Sequence, residues 1–157
     1  MQLVSSAFQA GAAIPVLFTS EGQDISPELS WRDAPAKTES FVLTMRDPDA
    51  PKVGGFTHWV VYDVPGSVGH IEQDVPKHAT VPGLGLQGKN DGGNVGYKGP
   101  SPPSGMHRYF IRLFALDREL NLPPGASHEQ VRQAMEGHIL DRAELMGTYT
   151  RRAERAA

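Results

Sequence analysis

The sequence predicts a mainly β fold, built from short strands in two packed layers with a helix near the C-terminus. Three observations carry this. Gly (17) and Pro (13) make up nearly a fifth of the 157 residues, which punctuates the chain into many short elements and argues against a helical bundle. The apolar runs between these breaks are rich in β-branched and aromatic residues. Those runs are apolar at odd and even positions alike, the pattern of strands covered on both faces.

Taken in order, Ile14–Thr19 is a strand candidate closed by Glu21-Gly22, and Glu28–Trp31 is a short one bounded by Pro27 and Pro35. Ser40–Arg46 and Thr57–Val64 are the clearest strands, and Arg108–Leu116 is the longest. From Val81 to Gly105 the chain is Gly-rich with little apolar content, so it reads as a long irregular loop, a kind usually kept for function. Ser127 with Gln130 forms a capping-box pattern. Val131, Ala134, Met135 and His138 then fall at helical spacing, Ile139 and Leu140 extend the apolar face, and Gly137 ends or kinks it. This helix is expected to cover one edge of the sandwich. Leu145–Tyr149 is expected to form a last strand.

Composition narrows the class. Apolar residues at 39% and charged residues at 21% describe an ordinary globular chain, and residues 1–157 read as one domain without repeat or linker. A net charge of −3 gives no basic footprint for nucleic acid, and no polybasic cluster suits anionic lipid. With no cysteine, disulfides and thiolate metal sites are excluded. The N-terminus lacks a charged and apolar leader, and no apolar run approaches the roughly 20 residues that span a bilayer. The expectation is a cytoplasmic protein with no stable membrane anchor.

Three segments carry chemistry, each where a strand meets a loop. Asp47-Pro48-Asp49-Ala50-Pro51 follows the strand ending at Arg46, and its prolines hold two carboxylates in a stiff arch. His58 opens the next strong strand beside Trp59. Gly99-Pro100-Ser101-Pro102-Pro103-Ser104-Gly105-Met106-His107-Arg108-Tyr109 runs from a rigid loop into the longest strand, where period two puts His107 and Tyr109 on one face. If the strands bearing Asp47, His58 and His107 are neighbours, two imidazoles, a phenol and a carboxylate meet at one end of the sandwich. Imidazolium and phenol are donors suited to phosphate or carboxylate oxygens, and Asp47 would orient the imidazoles and favour their charged form. Backbone N–H groups of Gly99 and Ser101 are candidate further donors.

The order Asp-Pro-Asp-Ala-Pro, strand-opening His, then Gly-Pro-x-Pro-Pro-Ser-Gly-x-His-Arg-Tyr resembles the phosphatidylethanolamine-binding protein family, which includes the Raf kinase inhibitor proteins. Ile25-Ser26-Pro27-Glu28-Leu29-Ser30-Trp31 is similar to the family's Ser-Pro-x-Leu-x-Trp strand. Asn90-Asp91-Gly92-Gly93 and Met135-Glu136-Gly137-His138 resemble its bacterial YbhB/YbcL-like branch. The resemblance implies a Greek-key antiparallel β-sandwich with one or two peripheral helices near the C-terminus. It also implies a non-catalytic pocket for phosphate, acetate or a phosphoethanolamine-like head group. Carried over by motif, the ligand-binding residues are Asp47, Pro48, Asp49, His58, Gly99, Pro100, His107 and Tyr109. No catalytic residue, cofactor or metal is implied. A protein partner such as a kinase is compatible with the resemblance, as is a homodimer. Two departures matter: the longer C-terminal helix of eukaryotic members is lacking, and Ser101 stands where bacterial relatives often place Cys.

Three rival readings use the same residues. One is a hydrolase built on Ser101 or Ser104 with His107 and Asp47, although Pro102 and Pro103 hold the serines on a stiff turn rather than a nucleophile elbow. Another is a metal site from His58, His107 and Asp47, whose spacing matches no compact ligand motif. The third is an inhibitor of a protein partner for which the pocket is incidental.

Overall fold

The β-branched and aromatic runs form strands that divide into two antiparallel sheets. The structure is a computed structural model that describes residues 1–155. The smaller sheet joins β1 (Gln2–Val4), β2 (Leu29–Arg32) and β5 (His70–Ile71). The larger sheet has the order β6 (Thr80–Val81), β7 (Gly85–Gln87), β4 (Phe56–Pro65), β3 (Ser40–Asp47), β8 (His107–Leu116) and β9 (Ile139–Tyr149). Within it, β3, β4, β7 and β8 lie in the spatial order β8-β3-β4-β7, so the fourth strand returns beside the first, a Greek key.

The apolar pattern at both parities has two causes. Phe41, Leu43 and Met45 of β3 face the small sheet, where Leu29 and Trp31 meet them. Val42 of β3 and Val60 and Tyr62 of β4 face outward and are covered by helix α1 (His128–Met135) through Val131 and Met135. The helix therefore covers the outer face of the large sheet, not an edge. The difference is decided by the second apolar stripe on β3 and β4, which needs a cover of its own.

The capping box forms as expected. The Gln130 N–H donates to Ser127 Oγ at 3.1 Å, and the Ser127 N–H donates to Gln130 Oε1 at 2.9 Å. Ser127→Ala is expected to cost about 1 kcal/mol, a fall in Tm of about 2–4 °C for a domain of this size. Calorimetry checks it.

Two expected elements are corrected. Ile14–Thr19 is not a strand: Val16–Phe18 forms a short 3-10 turn, and Ile14 only touches the β9 edge through its N–H to Thr148 O. Pro15 removes a ladder donor, and the turn delivers Phe18 to the core. The last strand begins at Ile139, six residues before the expected Leu145, because Gly137 at φ +80° ends the helix and reverses the chain. Its first half is a half-exposed edge strand, whose Asp141-Arg142-Ala143-Glu144 reads as helix-compatible. The 81–105 loop is irregular apart from Val81 in β6 and the strand β7, which pairs with β4 and β6. Among the described residues no helix is long and apolar enough to cross a membrane.

Candidate functional site

The end of β3 and the starts of β4 and β8 meet at one end of the large sheet, with β3 between its two partners. Asp47 keeps the inward parity of Met45, and His107 and Tyr109 keep that of Ile111. His58 does not follow alternation. By period two it would share the outer face with Val60 and Tyr62, but the β3–β4 register shifts between Met45↔Trp59 and Arg46↔Thr57. This bulge inserts one residue, and His58 turns inward beside Tyr109 with ring centroids 5.2 Å apart. The His107 and Tyr109 rings stack at 6.5 Å.

Asp47, His58, His107 and Tyr109 thus line one cavity of about 320 Å³, walled by Phe56 and by Ser101-Pro102-Pro103. A larger cavity of about 660 Å³ lies on the outer face beside α1, where Arg112 and Arg132 pair with surface glutamates while Arg46 and Arg142 have no carboxylate partner among the described residues. Buried polar groups converge only on the smaller cavity, which makes it the candidate site.

The hydrogen bonds fix the orientation of each group. Asp47 is 3% exposed. Its Oδ2 accepts from His107 Nδ1 at 2.6 Å, and its Oδ1 accepts from the Asp49 N–H at 2.7 Å. Asp47 orients only His107. The His58 Nδ1–H instead donates to the Lys98 carbonyl at 2.6 Å, and since a carbonyl only accepts, the tautomer is determined. Both rings are left with Nε2 as the free nitrogen. Burial pushes the His58 pKa below the ordinary imidazole value. Its neutral form therefore dominates at neutral pH and offers a lone pair at Nε2, in place of the expected imidazolium. Tyr109 is held as a neutral phenol, mainly by burial. Its hydroxyl is buried and has no hydrogen-bond partner among the described residues.

The other motif residues serve as scaffold outside the cavity wall. The Asp49 carboxylate takes the Arg108 backbone N–H at 2.9 Å and two guanidinium donors at 2.9 and 3.0 Å, and these bonds to Arg108 hold its pKa at about 2. That clasp ties the Pro48–Gly55 loop to the start of β8. Pro48 stiffens the loop without lining the cavity. The Gly99 N–H is spent on Asp24 Oδ1 at 2.6 Å, so it is no anion donor. A Cβ on Gly99 would lie 2.3 Å from Phe18 O, so only glycine fits this contact. Pro100 O accepts from the Ser20 N–H at 3.0 Å.

Sequence reasoning missed Lys98, Asp24 and Arg151. Arg151 donates to Pro102 O at 2.6 Å and to Ser101 Oγ at 3.1 Å, bracing the proline wall. A signal existed: β9 pairs with β8 so that Tyr149 opposes His107, which carries Arg151 past the mouth of the site.

Residues 4–150 match the family described as phosphatidylethanolamine-binding protein. The chain belongs to that family. Similar proteins include one called UPF0098 protein from Methanothermobacter thermautotrophicus, 49% identical over 96% of this chain and 99% of its own length. Another, from Aquifex aeolicus, is 51% identical over 96% and 89%. Solved structures of family members superpose closely. Escherichia coli YbcL, described as a new member of the mammalian family, has a TM-score of 0.87 at 27% identity, covering 96% of this chain and 98% of its own. Chlamydia trachomatis CT736, described as a candidate homologue, has a TM-score of 0.84 at 39% identity, covering 96% and 97%. The relatives include archaeal as well as bacterial proteins.

Proposed function

We propose that this protein binds small oxyanions and phosphoryl head groups in the Asp47–His58–His107–Tyr109 cavity without turning them over. The observation that carries the reading is the buried Tyr109 hydroxyl with no partner among the described residues, set between two imidazoles whose Nδ1 atoms are already committed. A buried donor without an acceptor costs about 1–3 kcal/mol, which a ligand oxygen restores. The volume supports a head group rather than a long chain, since about 320 Å³ sits at the lower end of the roughly 300–1,000 Å³ range of small-molecule sites. A phosphomonoester monoanion matches the tautomers best. Its O–H donates to neutral His58 Nε2, while another of its oxygens accepts from the Tyr109 hydroxyl.

Absence of turnover rests on Ser101. Its Oγ accepts from Arg151, a cation, and no hydrogen bond joins it to either imidazole among the described residues. A nucleophile needs a base at that position. Titration of phosphoethanolamine by calorimetry tests the binding. His107→Ala is expected to cost about 1.5–3 kcal/mol, the worth of a hydrogen bond to a charged group, and Tyr109→Phe about 0.5–1.5 kcal/mol, the worth of an ordinary hydrogen bond. Two variants that bind as tightly as wild type would remove the site from consideration. Covalent labelling by a fluorophosphonate probe would overturn the non-catalytic part.

A further inference from the structure

The outer face of the large sheet carries a second patch that the anion pocket does not use. On β8 the outward residues alternate as Arg108, Phe110, Arg112 and Phe114. Only the Phe114 end is near α1, where Arg132, Met135 and Ile139 close the cleft of about 660 Å³. Four arginines line that cleft (46, 112, 132 and 142) against the carboxylates of Glu136 and Glu144, so the cleft is positive on a chain whose net charge is −3.

These arginines are not equally occupied. Arg132 is bracketed by Glu129 at 2.7 Å and Glu136 at 3.0 Å. Arg112 pairs with Glu144 at 2.9 Å, with the two side chains 40% and 49% exposed. An exposed pair of this kind is worth about 0–1 kcal/mol and is readily exchanged. Among the described residues Arg46 donates only to neutral acceptors, Thr57 Oγ1 at 3.0 Å and Gly54 O at 2.7 Å. Arg142 has no carboxylate partner among the described residues, and its guanidinium lies 5.7 Å from the Phe114 ring centre.

Strand register turns three of them into a line. Arg46 of β3 opposes Phe110, Arg112 lies two residues further along β8, and Arg142 of β9 opposes Phe114, two residues further again. With strands about 4.8 Å apart and about 3.4 Å per residue, each diagonal step is about 8 Å. An extended peptide presents same-side residues every ~7 Å, so acidic side chains at i, i+2 and i+4 match Arg46, Arg112 and Arg142. Further along β9 Ile139 opposes Leu116, and with Met135 it gives the cleft an apolar wall.

We propose that this cleft docks an extended acidic segment of a partner protein, with alternating carboxylates ending in an apolar residue. The aromatic rings favour a peptide over single-stranded nucleic acid. Arg112 and Arg108 lie 4.9 and 5.5 Å from the Phe110 ring centre and Arg142 lies against Phe114, so cations occupy the positions where bases would stack.

The test is fluorescence anisotropy with fluorescein-labelled Asp-Ser-Asp-Ser-Asp-Ser-Leu. Its controls are a composition-matched Asp-Asp-Asp-Ser-Ser-Ser-Leu and a short oligothymidylate. The alternating peptide is expected to bind at least about fivefold more tightly than the blocked one, and Arg142→Glu to weaken it by about tenfold or more, as charge reversal at a docking surface does. Glu144→Gln, which frees Arg112, is expected to tighten it about threefold. Saturating phosphoethanolamine should leave all three results unchanged. If Arg142→Glu proves unstable by thermal melting, Arg142→Gln keeps the stem over Phe114 and is expected to act in the same direction. Equal binding of both peptides, indifference to Arg142 and Glu144, or tighter binding of the oligothymidylate would each overturn the proposal.

Discussion

Acetate is expected to bind more weakly as pH rises, by about tenfold per unit while one proton is taken up on binding, and so on the order of 100-fold between about pH 6.5 and 8.5. The reason lies at His58. Its Nδ1–H is spent on the Lys98 carbonyl, so only Nε2 is left for a ligand. Burial holds its pKa below the ordinary value, and free His58 is neutral at pH 7. A carboxylate can accept from Nε2 only after that atom gains a proton, so the anion and the proton bind together. The ordinary imidazole pKa alone would place the midpoint of this change near 6.5. Burial moves the onset to lower pH, and the decline is at full slope by neutrality. Acetate is ionised throughout this range, whereas a phosphomonoester loses its own proton near pH 6, so acetate isolates the proton gained by His58. Calorimetry in buffers of different ionisation enthalpy should count one proton taken up. An affinity flat from pH 6.5 to 8.5 would sink the proton-coupled mechanism. The same group shapes stability without ligand: below about pH 6.5 the unfolded chain binds a proton that folded His58 resists. Stability from this source therefore falls as pH drops through the depressed pKa, and bound acetate should counteract the loss.

Asp47→Ala is expected to cost about 3 kcal/mol of stability, the lower end of what breaking a buried pair costs. Tm should fall by roughly 6–12 °C for a chain of this length. Among the described residues Asp47 is the only acceptor for two donors, His107 Nδ1–H and the Asp49 N–H, and it is 3% exposed. Alanine strands both, at about 1–3 kcal/mol for each buried unpaired group. His107 loses its orientation with the same change, so anion binding should vanish together with the melting shift. Asp47→Asn separates the two effects. It retains an oxygen for the Asp49 N–H, while a carboxamide facing His107 Nδ1 favours the opposite tautomer, with the proton on Nε2. Its melting should stay closer to wild type while anion affinity changes. An Asp47→Ala variant that melts within about 2 °C of wild type would show that the carboxylate is not the keystone described here.

The reach of the sequence can be followed residue by residue. Short-range physics was sufficient for the strands Ser40–Asp47 and His107–Leu116 and for the Ser127 cap, because β-branched runs, proline breaks and a capping box act within a few residues. It was also sufficient to put His107 and Tyr109 on one face by period two, whereas their meeting with Asp47 depended on the pairing of β3 with β8. Residue type and the family resemblance both named His58 as a site residue, but no spacing argument puts it inward. A bulge between Met45↔Trp59 and Arg46↔Thr57 does that, and a bulge is settled by the pairing of two strands. The roles of Asp49 and Gly99 were likewise decided by partners remote in the chain, Arg108 and Asp24. So was the protonation of His58, since burial and the Lys98 carbonyl, 40 residues away, set both its pKa and its tautomer. Residue types and local rhythm determined which groups this protein carries and on which strands. Only the tertiary structure, by choosing each group's hydrogen-bond partner and removing it from water, decided which of them face the cavity and in what charge state.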